Sequence, residues 1–73
     1  MPVAVAHILK YFAYAHLPQA LQLVSRPFHD LAHNLAGQEM GESELLAALN
    51  RLLEAKDWAV RGKVSFEIEG PKS

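Results

Sequence analysis

Tyr14, His16, Arg26, His29 and His33 are the residues whose types and spacing best suit ligand chemistry. They share one stretch, Tyr11 to His33, YFAYAHLPQALQLVSRPFHDLAH. Aromatic faces beside cationic and hydrogen-bonding groups suit a ligand that carries bases and phosphates. His29 and His33 are four apart, so a helix turns both to one side, with Arg26 about one turn earlier. Tyr11, Phe12 and Tyr14 precede Pro18. On an extended chain Phe12 and Tyr14 share one side and Tyr11 takes the other. A Tyr ring is a stacking platform worth about 1–3 kcal/mol per base.

Each feature also has a plainer reading. The three aromatics suit a core equally well. The His pair suits a divalent metal with Asp30 nearby, but a metal site needs three or four ligands and none is placed to complete it. It also suits a solvated polar face. Arg51 is a further candidate ligand contact. It also belongs, with Glu54, Asp57 and Arg61, to an ordinary charged helix face. Trp58 reads as an interface or core anchor.

Catalysis finds little support. There is no Cys. Ser25, Ser43 and Ser65 fall in capping or strand contexts without an evident base, and no Gly-rich phosphate loop follows a strand. The residues point to binding without bond breaking, and to no cofactor.

Those residues must be held by very little protein. The chain has 73 residues, room for one domain. A chain this short is marginally stable alone, and without Cys no disulfide or thiolate metal site assists it. Hydrophobic residues make up 51%. Two helices packed face to face cannot hide that much apolar surface, so a homo-oligomer is expected. The formal net charge is −1, which disfavours binding to long nucleic acid. A helix-turn-helix reading also lacks a basic recognition helix. Four His are many for this length, since His titrates near neutral pH. No apolar run approaches the ~20 residues of a membrane span, and Val3 to Leu9 is too short for a secretory signal.

The sequence predicts an all-α fold, an antiparallel helical hairpin. Residues 1–17 read as an extended arm, because Val3, Val5, His7 and Leu9 alternate and Pro18 pushes Leu17 out of the helical region, although Ala4, Ala6, Ile8 and Leu9 also permit a helix over the first ten residues. The first helix is expected over 18–36, with Pro18 as its first residue. Leu21, Val24, Phe28, Leu31 and Leu35 form its apolar face. Pro27 predicts a kink or a split. Gly37 stops it, and 37–42 make the turn. The second helix is expected over 43–61, capped by Ser43, with Leu45, Leu46, Leu49, Leu52 and Leu53 inward. Residues 63–69 alternate like a strand, which would need the N-terminal arm or another subunit as partner.

Three segments in this order carry a family resemblance: Phe12-Ala-Tyr14-Ala-His16-Leu-Pro18, then Gln19 to Ala32, then Leu49-Asn-Arg51-Leu-Leu-Glu54-Ala-Lys-Asp57-Trp58-Ala. Over about residues 12–61 they resemble the small phage hairpin-domain proteins that act as nucleotide sponges against the CBASS and Thoeris defences. The family pattern opens with an aromatic, a Tyr-His pair and a Pro. A second helix of Leu-x-Lys/Arg-Leu-x-Glu-Ala-x-x-Trp-Ala type follows. Here Ala15 separates Tyr14 from His16, and Pro27 interrupts the first helix. A family phosphate-binding Lys in that region is missing, so Arg26 or His29 must stand in. The resemblance implies a homo-oligomer, from dimer to hexamer, in the cytoplasm of a bacterial host. It would hold cyclic di- or trinucleotides, or cyclic ADP-ribose isomers, in pockets between subunits without cleaving them. A small helical module that docks a protein partner is the alternative.

Overall fold

The computed structural model, which describes residues 1–70, is all-α. Helix α1 spans Val3–Leu9 and runs on into a short 3₁₀ turn, Lys10–Phe12. Helix α2 spans Gln19–Ala36 and α3 spans Glu42–Glu69. There is no strand among the described residues.

The N-terminal segment is the first correction, because residues 3–12 are helical and not an extended arm. The apparent alternation of Val3, Val5, His7 and Leu9 has no neighbouring strand to bond. The helical period instead brings Val5, Ile8, Leu9 and Phe12 to one face, and all four are buried. Burial at about 1.5–3 kcal/mol per side chain outweighs the small helix-propensity loss at Val3 and Val5. Only the stretch from Ala13 to Pro18 leaves the helical path, with a turn in which Leu17 N–H donates to the Tyr14 carbonyl.

Pro18 serves as the N-cap of α2 and not as its first residue, and its carbonyl accepts from the Leu21 and Gln22 N–H groups. The Gln22 side chain donates to the Leu17 and Ala15 carbonyls and ties the preceding turn to the helix. The helix continues unsplit through Pro27 and ends at Gly37, as expected. Its inward face is rotated from the expected one. Ser25 and Ala32 are fully buried, Phe28 and Leu35 are half-buried, and Leu31 is 46% exposed. The rotation follows from α1, because α2 must face both that helix and α3.

Helix α3 is the third departure. It begins at Glu42 with Gly41 as N-cap, so Ser43 lies inside it, and it runs to Glu69 through the expected strand. A lone strand would leave its ladder groups unpaired. The helix continues at the cost of about 1 kcal/mol for Gly62. It is supported by the Lys63–Glu67 ion pair at 3.1 Å and the Ser65 hydroxyl donating to Glu69. Lys63 also sits 5.7 Å from the centre of the Phe66 ring. At 28 residues α3 is about 42 Å long, which matches the longest dimension of the molecule, 43 Å. Helix α2, with 18 residues, is about 27 Å long, so the final turns of α3 outrun it.

The core gathers Val5, Ile8, Leu9 and Phe12 with Ala32, Leu45 and Leu49. Phe28, Leu35, Leu46, Leu52 and Leu53 pack around it. Lys56 of α3 donates to the Tyr11 carbonyl and lies 5.8 Å from the centre of the Phe12 ring. The accessible surface is 5185 Å², against about 4,500 Å² for a compact monomer of this mass. No helix among the described residues is long and apolar enough to cross a membrane.

Two substitutions test this core by urea unfolding followed by circular dichroism. Leu49→Ala, at a fully buried site, is expected to lower stability by about 2–5 kcal/mol. Ser25→Ala is expected to raise it by about 1–2 kcal/mol, because the buried Ser25 hydroxyl has no hydrogen-bond partner.

Candidate functional site

Three of the expected ligand residues meet in space. The turn between the 3₁₀ segment and α2 delivers Tyr14 to the side of α2. Its ring meets His29 edge-on, with centroids 4.9 Å apart and planes at 73°. His29 in turn lies 4.3 Å from His33 at 42°, the one-turn neighbour its spacing requires. The result is a row of three rings along one edge of α2.

A polar chain leads away from this row. His29 Nδ1 lies 3.0 Å from Asp30 Oδ1, and Arg26 Nε lies 3.7 Å from Asp30 Oδ2. Arg26 and Asp30 are both more than half exposed, so their ion pair contributes little to stability. It holds the Arg26 guanidinium within one turn of the rings.

Between α1 and α2 an open cleft of about 400 Å³ is lined by Ala6, Leu9, Lys10 and Ala13 on one side and by His29 and His33 on the other. That volume falls in the range of small-molecule sites. Lys10 brings a full positive charge to it and has no carboxylate partner among the described residues. Sequence reasoning missed Lys10. The signal was the helical reading of residues 3–12, which sets Lys10 one residue past Leu9 at the mouth of the cleft.

The other expected residues stand apart. Phe12 is fully buried, so its ring belongs to the core and offers no face to a ligand. The extended-chain reading that put Phe12 and Tyr14 on one side fails because the 3₁₀ turn ends between them. His16 is exposed in the turn after Tyr14. Arg51 lies on α3 and pairs with Glu54 at 2.9 Å, as an ordinary charged face requires. No cluster of three or more metal-ligating side chains exists among the described residues.

The geometry suits a small ligand with an anionic group and a flat ring. The cleft supplies an ammonium and imidazole nitrogens, and its edge supplies a row of rings set edge-on and tilted to one another. No protein-family model, curated protein or solved structure matches the chain.

The ring row has a direct spectroscopic consequence. Tyr14→Leu is expected to move the His29 ring-proton resonances through loss of the aromatic ring current, and to leave those of His7 unmoved. Two-dimensional proton–carbon NMR of the four histidines measures this.

Proposed function

We propose that this protein is a phage anti-defence sponge that binds a cyclic oligonucleotide or cyclic ADP-ribose-type signal and sequesters it intact. The observation that carries this reading is the Tyr14–His29–His33 row beside Lys10 in the α1–α2 cleft. Tyr14 and His29 stack on a base, and Lys10 takes a phosphate in place of the family lysine. Arg26 supplies a second cation from the edge, and His16 stands two residues after Tyr14 in the exposed turn. The motif resemblance supports the ligand class and a bacterial cytoplasmic setting. The excess accessible surface supports self-association.

Sequestration competes with a sensitive receptor, which calls for nanomolar affinity, about −12 kcal/mol. A stacked base and a charge-assisted phosphate contact in each subunit, repeated by symmetry, are of the right order.

A second reading, a docking module for another protein, draws on exposed apolar side chains. Trp58 is 69% exposed, Phe66 50% and Ile68 78%, all on the last turns of α3. These lie outside the cleft, so the two readings separate by mutation.

The deciding measurement is calorimetric titration with cyclic dinucleotides, cyclic trinucleotides and cyclic ADP-ribose isomers, followed by recovery of the ligand. Tight binding of one class with the ligand recovered intact is expected. Tyr14→Ala is expected to weaken it about 5- to 150-fold, the equivalent of one lost stack. Lys10→Ala is expected to weaken it by about tenfold or more. No binding across the panel, or unchanged affinity in Tyr14→Ala, overturns the assignment.

A further inference from the structure

We infer that the pocket between Leu17 and α3 is a site for a zwitterionic α-amino acid with an apolar side chain. It shares no lining residue with the α1–α2 cleft, so the inference does not depend on what the cleft binds.

The helix offers an ion pair here and does not close it. Acid and base four apart on a helix are neighbours, and the order with the acid first is the favourable one. Asp57 and Arg61 have that spacing and that order, yet they form no ion pair. The other oppositely charged pairs at three- or four-residue spacing in α2 and α3 all close. Arg26–Asp30 does so at 3.7 Å, Arg51–Glu54 at 2.9 Å and Lys63–Glu67 at 3.1 Å. Asp57 and Arg61 are thus each without a charged partner among the described residues.

The open pair borders a pocket of about 280 Å³, which Leu17, Lys56 and Val60 also line. Leu17 comes from the turn before α2, and the other four residues share one side of α3. Leu17 and Val60 are half-buried and give the pocket an apolar wall, while Asp57 and Arg61 are open to solvent. The Lys56 ammonium donates to the Tyr11 carbonyl and keeps two further N–H donors.

Trp58 accounts for where Arg61 goes. The guanidinium carbon lies 4.9 Å from the centre of the Trp58 ring. A guanidinium held against a ring keeps N–H groups that the ring does not satisfy, and these remain for a carboxylate. Trp58 is therefore a positioning residue, which gives a 69% exposed indole a role.

An acid and a base held apart across a pocket call for a molecule that carries both charges itself. The Arg61 fork takes a carboxylate, with Lys56 as a second donor, and Asp57 takes an ammonium. Leu17 and Val60 receive an apolar side chain. A simple anion would face Asp57, and a simple cation would face Arg61 and Lys56. The volume lies just under the roughly 300 Å³ at which drug-sized sites begin, so an amino acid fits and an oligonucleotide does not.

Proton–nitrogen NMR of the full chain titrated with free leucine tests the inference. Saturable shifts are expected at the amides of Leu17, Asp57, Val60 and Arg61, and at the Trp58 indole. Leucinamide lacks the carboxylate and N-acetylleucine lacks the ammonium. Each is expected to bind about tenfold or more weakly than leucine. This series uses the native chain, so it does not rely on a variant that folds. Asp57→Asn and Arg61→Gln are expected to keep their helicity by circular dichroism and to weaken leucine binding about tenfold or more. Trp58→Leu is expected to weaken leucine and N-acetylleucine, which carry the carboxylate, and to leave leucinamide unchanged. A merely structural role for Trp58 would move all three. No shift at ~10 mM leucine, where a millimolar site is filled, overturns the inference. So does equal binding of the three compounds, or unchanged affinity in Asp57→Asn or Arg61→Gln.

Discussion

The burial of the Phe12 ring is the constraint on which the rest of this small fold depends. A chain with no cysteine must hold itself by packing, and the Phe12 side chain is among the largest it encloses completely. The ring closes the end of α1 against α2 and α3. Lys56 reinforces the closure from α3 by capping the Tyr11 carbonyl and lying near the ring. With Phe12 fixed, the chain has only the stretch from Ala13 to Pro18 in which to reach α2. That short path leaves Tyr14 against His29. The site is thus a by-product of how the core is shut, and Tyr14 needs no contact with the core itself.

The all-α class, the limits of α2 near Pro18 and Gly37 and the leucine face of α3 were legible in the residues. So was the His29–His33 pairing, because a single helical turn contains it. What misled was ambiguity of period. Val3 to Leu9 and Val64 to Ile68 satisfy both a two-residue and a 3.6-residue repeat, and neither alone decides. The decision is tertiary, since a strand needs a partner and no other strand forms in the described chain. The error at the N-terminus then spread. Read as extended, Phe12 joined the ligand residues and Lys10 did not. Read as helical, the two exchange roles. The same logic applies to α2, whose inward face could not be placed until α1 was known to press on it.

A pocket built jointly by two subunits, which the resemblance implies, would need a contact on the α1–α2 side. The 59% exposed Tyr11 and the open Val3 lie on that N-terminal layer and give such a contact apolar surface.

Pro27 gives α2 an internal seam. A proline has no N–H, so the Leu23 carbonyl loses its helical donor and turns to water on the exposed side of the helix. The apolar core cluster draws Phe28, Ala32, Leu35 and Ala36 from beyond the seam, whereas the fully enclosed side chain before it is the polar Ser25. The helix therefore has two halves of unequal cooperativity, joined at a missing bond. Amide exchange is therefore expected to run ahead in the half before Pro27.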